Sequence, residues 1–354
     1  MAKRLVVCCD GTWNRPDEIR GGVAAPTNVV KVSLGVADKD SHGTSQVGHY
    51  VAGVGTRRFE HLRGGAFGFG LSRNVLEGYR FLVQKYEPGD ELFLFGFSRG
   101  AYTARSTVGL IRNCGILKRE NIDRLDEAYR LYRDPKRDTE PGGIAAEMFR
   151  RDYSHPDTEI QFVGVWDTVG SLGIPVDGLR MPFLTRHWSF HDTRLSRSVK
   201  HAYQALAIDE RRGPFKPTLW EQHPGATGQT LEQVWFAGVH SDVGGGYAEP
   251  ALAEIPLLWM VERAGACGLE FKPNYFVTRD PPDEERRHRG EEVAPDPLGK
   301  IHESLEGFYK LFPRYERPLK ADGSAVAPSA IRRWDKMPDY RPKNLEKYRD
   351  GGGA

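Results

Sequence analysis

The strongest constraint in this chain is the apolar run Glu91 to Phe97 (ELFLFGF), which turns at Ser98 into a segment rich in small residues. A run this apolar and this short reads as a strand buried on both faces of a parallel sheet. Arg99 to Asn113 follows as a helix, with Ala101, Ala104, Val108 and Ile111 at helical spacing. Across the junction lies Gly96-Phe97-Ser98-Arg99-Gly100, a G-x-S-x-G pattern. Between a buried strand and a helix the pattern has a physical meaning. The serine occupies a strained turn, and Gly96 and Gly100 remove the side chains that would collide where strand and helix backbones approach. Ser98 is therefore the candidate nucleophile.

The remaining segments supply the sheet. Arg4 to Cys9, His49 to Ala52, Ile160 to Trp166, Ala202 to Ile208 and Gln233 to Val239 read as strands. Helices are expected at Asn28 to Ala37 (capped by Thr27), Arg73 to Tyr86, Asp123 to Tyr132 and Ile255 to Ala266. A glycine-rich loop is expected from Gly64 to Gly70, and charged, proline-rich loops at Asp134 to Gly143 and Pro281 to Pro297. Strands alternating with helices predict a mostly parallel sheet with helices on both faces, an α/β-hydrolase-like fold. The chain is read as a single domain over residues 1–354, with a helical insertion at about 115–158 and a C-terminal wrap at about 270–350.

With 50 basic and 48 acidic residues the net charge is +2, which provides no basic surface for nucleic acid. The four cysteines include no CxxC or zinc spacing, and adjacent Cys8 and Cys9 should point to opposite faces of a strand. The apolar stretch near the N-terminus runs into Asp10 and is too short for a signal peptide. No window of about 18 apolar residues occurs, so no membrane-spanning helix is expected. The expected location is the cytoplasm, or export by a route that needs no signal peptide.

A serine hydroxyl needs a base, and the base needs an orienting carboxylate. In an open α/β sheet both should sit at the C-terminal ends of later strands. Asp167 directly follows IQFVGVW and His240 directly follows QVWFAGV. The order Ser98, Asp167, His240 is the α/β-hydrolase order. One oxyanion donor is expected from the amide of Arg99, at the helix N-terminus. The other is expected from Gly11 or Thr12, in the turn after the first strand. Asp10 is expected to shape that turn. Asp242, in Gly238-Val239-His240-Ser241-Asp242-Val243-Gly244-Gly245-Gly246-Tyr247, could orient the loop, help polarise His240 or share a cation with Asp10. Structural hydrogen bonding is the leading reading for Asp242, and no metal or other cofactor is expected. Arg211 or Arg212, after Asp209-Glu210, reads first as part of an ion pair and second as a partner for an anionic substrate.

Taken together, DGTWN at Asp10, TNV at Thr27, GVGT at Gly53, GFSRGAYTAR at Gly96, VWDTVG at Val165, ALAIDERR at Ala205 and GVHSDVGGGY at Gly238 resemble a known family. It is the group of uncharacterised-domain α/β hydrolases that includes the first class of type VI secretion phospholipase effectors. The resemblance covers roughly residues 3–265. It implies a catalytic serine, aspartate and histidine at Ser98, Asp167 and His240, and ester or phospholipid hydrolysis. The expected function is hydrolysis of a carboxylic ester, on a small molecule or a lipid, through an acyl-enzyme. The alternatives are a membrane-directed phospholipase or lipase effector and a non-catalytic scaffold that keeps the fold. A membrane surface is compatible with these readings, and the sequence does not specify an oligomeric state.

Overall fold

Cys8 and Cys9 face opposite sides of strand β1 (Arg4–Cys9), and the alternation they show separates two hydrophobic layers. The computed structural model describes residues 2–11, 14, 19–20, 23–53, 66–156, 158–169, 193–278, 286, 292–319 and 323–351. β1 joins β2 (Gln46–Val51), β3 (Glu91–Phe97), β4 (Ile160–Trp166), β5 (Val199–Ala207), β6 (Thr230–Phe236) and β7 (Ser324–Val326) in one seven-stranded sheet of order β7-β6-β5-β4-β3-β1-β2. All of these pairings are parallel.

On one face Leu5, Val7, Cys9, Leu92 and Leu94 pack under α2 (Ala66–Lys85) and α3 (Arg99–Cys114). On the other Val6, Cys8, Phe93, Phe95 and Phe162 pack under α1 (Asn28–Gly35) and α7 (Glu254–Ala266). With helices on both faces the molecule is an α/β fold of the hydrolase-like kind. β3 lies in the middle of it, and each of Leu92, Phe93, Leu94 and Phe95 is fully buried. Such side chains contribute roughly 1.5–3 kcal/mol each relative to exposure. A buried ion pair, Lys31 to Glu254 at 2.9 Å, ties α1 to α7 across the second layer.

Strand order fixes where a site can form. The chain leaves β1 for β2 on one side, then returns to place β3 on the other. Loops therefore diverge beyond the C-terminal ends of β1 and β3 and open a crevice there. The residues just past those ends are Asp10 and Ser98.

Several boundaries differ from expectation. α2 starts at Ala66 rather than near Arg73, so Gly68 and Gly70 of the expected loop lie in its first turns. Glycine costs about 1 kcal/mol in a helix, and packing of the turns beyond, from the buried Leu71 on, exceeds that. Between α3 and β4, in the stretch expected as a helical insertion, the chain forms α4 (Leu125–Arg133) and also α5 (Ile144–Tyr153), which follows the charged, proline-rich loop and is not expected from the sequence as a separate helix. The C-terminal segment supplies edge strand β7, α8 (Pro328–Lys336) and α9 (Lys343–Asp350). There Leu319, Ala330, Tyr340 and Leu345 close a third hydrophobic cluster over Leu206 and Trp235. Among the described residues no helix is long and apolar enough to cross a membrane.

Candidate active site

Ser98 sits between β3 and α3 with φ 57° and ψ −119°, a conformation that L-residues rarely adopt and that costs on the order of 1–3 kcal/mol. Its N–H bonds Trp166 O at 3.0 Å, which fixes the turn against the end of β4. The flanking glycines have separate reasons. A Cβ on Gly96 would sit 2.6 Å from the Ala101 Cα, and one on Gly100 would overlap the carbonyls of Cys9 and Asp10. The start of α3 thus lies directly on the end of β1, with the helix N-terminus at the mouth of the crevice. Ser98 is nearly buried, at 5% exposure.

Asp167, on the next strand end, also has a positive φ, 40°. It is fully buried, and its Oδ2 lies 2.6 Å from His240 Nδ1. Oδ1 accepts the Ala207 N–H at 3.1 Å. Burial acts to raise the Asp167 pKa, but the guanidinium of Arg317 and the His240 hydrogen bond outweigh it and hold the carboxyl well below the usual range. An anionic carboxylate can only accept, so Nδ1 is the donor and the Nε2 lone pair is left available to act as a base. The imidazole is packed by Phe97 and Phe215, with ring centroids at 4.6 and 4.9 Å. Burial lowers the His240 pKa below 6.5, and Asp167 offsets only part of that.

The other motif residues hold the loops around these three. Asp10 accepts from the Gly11 N–H at 2.6 Å, the Thr27 hydroxyl at 2.8 Å and the Tyr50 hydroxyl at 2.7 Å. Burial nevertheless leaves its pKa raised. Gly11 lies against Ser98, since a Cβ there would come within 3.3 Å of the serine Cβ. Of the two amides proposed beside Arg99 for the oxyanion, that of Gly11 is therefore engaged by Asp10, and Thr12 lies outside the described residues. Asn28 donates to Val243 O and Ala253 O, both at 2.9 Å, binding α1 to the short helix α6 (His240–Gly244) and to the residue just before α7.

Asp242 turns away from His240. It accepts from the Val239 N–H at 3.0 Å and the His302 N–H at 3.1 Å, and meets His302 Nδ1 at 2.6 Å. Asp10 and Asp242 thus serve separate networks. Among the described residues no group of three or more histidine, cysteine or carboxylate side chains is arranged to hold a metal ion. Glu210 accepts the His240 N–H at 3.3 Å and is gripped by Arg212 at 2.7 and 2.9 Å. The Arg212 guanidinium also lies over the Phe215 ring, so it is held in the wall of the site.

One residue had no signal in the sequence. Arg317, fully buried, places Nη1 2.5 Å from Asp167 Oδ1 and Nη2 3.0 Å from Oδ2. It also donates to Ala207 O at 3.0 Å and Phe215 O at 2.6 Å. It stands in the charge-rich stretch YERPLK, with no periodicity or motif to single it out.

Comparison with known proteins places the chain among relatives. The family model described as "T6SS, Phospholipase effector Tle1-like, catalytic domain" matches residues 3–263. An uncharacterized protein of Saccharomyces cerevisiae is 30% identical over 243 residues, covering 63% of this chain and 33% of the relative. The chain thus spans about a third of the length of that curated relative. A crystal structure of an uncharacterized protein from Pseudomonas aeruginosa aligns over 83% of this chain and 49% of its own, with 17% identity and a TM-score of 0.43. The structure of the Tle1 effector bound to the VgrG spike of the type 6 secretion system aligns over 70% and 52%, with 18% identity and a TM-score of 0.40.

Proposed function

This chain belongs to the Tle1-like phospholipase effector catalytic-domain family of type VI secretion, and from that premise we propose that it hydrolyses lipid esters with Ser98 as nucleophile, His240 as base and Asp167 as orienting acid. The observation that carries the reading is the buried His240–Asp167 pair, 2.6 Å apart, at the same end of the sheet as the strained Ser98 turn.

The chemistry follows from those positions. Ser98 Oγ bonds to the ester carbonyl carbon while its proton passes to His240 Nε2. The tetrahedral intermediate collapses, the C–O bond to the alcohol breaks, and the leaving oxygen takes the proton from His240. Water then loses a proton to His240 and attacks the acyl-serine. The acid leaves, and the proton returns to Ser98. Asp167 orients the imidazole and stabilises its charged form. The developing oxyanion would be held by the amide of Arg99, at the start of α3.

Phospholipid is the substrate class carried by the family's description, and a small carboxylic ester is the alternative. A scaffold that merely keeps the fold is less well supported. Positive φ at both Ser98 and Asp167 costs stability that a non-catalytic domain would gain by relaxing. Export through a type VI apparatus is part of the proposal, tested by looking for the chain outside cells with and without that apparatus.

The enzymatic test pairs p-nitrophenyl esters with phosphatidylglycerol and phosphatidylethanolamine vesicles. The proposal expects fatty-acid release from vesicles by the native chain and its loss in Ser98→Ala. Turnover of the soluble esters alone would move the substrate to the small-ester class. Undiminished turnover by Ser98→Ala would remove the mechanism.

A further inference from the structure

We propose that Arg317 is a positioning residue of the catalytic centre, clamping the Asp167 carboxylate so that Oδ2 faces His240 and neutralising its charge. The inference rests on the serine-hydrolase reading above and adds a fourth side chain to it, one that lies beyond residues 3–263 of the family match.

Geometry carries the argument. A buried carboxylate next to an imidazole can rotate and present either oxygen. Here Oδ1 accepts from Arg317 Nη1 and the Ala207 N–H, while Oδ2 accepts from Arg317 Nη2 and meets His240 Nδ1, so the fork fixes the carboxylate plane and the Ala207 N–H fixes which oxygen faces the imidazole. The two-pronged fit is particular to guanidinium, since a lysine ammonium cannot lie in plane with both oxygens. Arg317 is itself held by Ala207 O at the end of β5 and by Phe215 O, whose ring packs against the imidazole. One side chain therefore registers the acid, the strand end and the wall of the histidine pocket.

Charge is the second consequence. An unpaired Asp167 anion would draw a proton onto His240 and weaken it as a base at mildly acidic pH. Paired with Arg317, the carboxylate keeps its acceptor geometry and acts on His240 with a reduced field, which still offsets part of the effect of burial. The other charged groups near the imidazole are Glu210 and Arg212, which pair with each other, and Asp242 is turned toward His302. Arg317 is thus the group that decides how strongly Asp167 acts on His240.

Two substitutions separate the roles. Arg317→Lys keeps a positive charge and loses the fork. We expect kcat to fall about tenfold or more, with KM within about threefold and the acid limb of kcat/KM near its native position. Arg317→Gln removes the charge, and the acid limb should move to higher pH as well as kcat falling. Both are measured on full-length protein checked by circular dichroism, with Ser98→Ala in the same assay. Native kcat and an unmoved acid limb in both variants would overturn the assignment of Arg317 while leaving the triad standing. Turnover surviving in Ser98→Ala would instead remove the underlying mechanism. Should neither variant fold, the guanidinium protons of Arg317 in the native chain can be followed by NMR, since a clamped fork gives separate, slowly exchanging Nη resonances and a free one a single averaged signal. Separate, protected Nη signals support the clamp, and one fast-exchanging signal contradicts it.

Discussion

Ser98 and Asp167 both take positive φ at neighbouring strand ends, and in the proposed mechanism their side chains do different work, one reacting and the other holding the histidine. This separates Asp167 from Asp242. Asp242 fixes the loop through Val239 and His302, whereas Asp167 alone of the two meets the imidazole. Asp167→Asn should therefore lower kcat by several orders of magnitude, on the order of the 10⁴ seen when a serine-protease triad loses its carboxylate. It should also lower Tm, because Arg317 is left as a buried charge without its partner. Asp242→Asn should cost less in kcat, and steady-state kinetics with melting curves on both variants would check the ranking. The pH dependence follows from His240. Burial places its folded pKa below 6.5, so the base stays neutral into mildly acidic solution. The acid limb of kcat/KM should fall below pH 6.5. Between the folded value and 6.5 the unfolded chain binds more protons at this residue. Its contribution to stability is thus fully present above about pH 6.5 and is lost as the pH falls. A kcat/KM profile with its acid limb above pH 7 would contradict this.

At the scale of elements, the site depends on how closely α3 meets β1. Gly100→Ala should destabilise the fold by an amount at the upper end of the ~1–3 kcal/mol typical of overpacking, because its Cβ would overlap backbone carbonyls that cannot rotate away. Urea unfolding measures this, and a loss within about 0.5 kcal/mol would mean that helix and strand separate easily. The same closeness explains what the sequence made legible. A strand as apolar as ELFLFGF, a glycine on each side of Ser98, and Asp167 and His240 each directly after an apolar run are local signals, readable without the fold. Gly68 and Gly70 misled because glycine's preference is weak and packing decided the start of α2. The Gly11 amide, one of the two expected beside that of Arg99 for the oxyanion, donates instead to Asp10 Oδ1 at 2.6 Å, the local bond by which Asp10 is expected to shape that turn.

At the scale of the molecule, the part least legible in the sequence is the C-terminal quarter, beyond residue 263. Arg317 touches a residue 150 positions earlier, and β7 is only three residues long. No periodicity could announce either. Yet this segment covers Leu206 and Trp235 and supplies the counter-charge of Asp167. A chain ending at residue 263, where the family match ends, should therefore lack a cooperative unfolding transition and all turnover. A stable, active truncated protein would show that the segment is dispensable. The proposed mechanism makes Ser98 the acylated nucleophile, activated by His240. Treating the native protein with a fluorophosphonate and locating the adduct by peptide mass spectrometry tests this most directly. One adduct is expected, on the peptide containing Ser98, with labelling reduced by orders of magnitude in His240→Asn and abolished in Ser98→Ala. An unlabelled native protein that nonetheless turns over ester, or equal labelling of all three proteins, would contradict it.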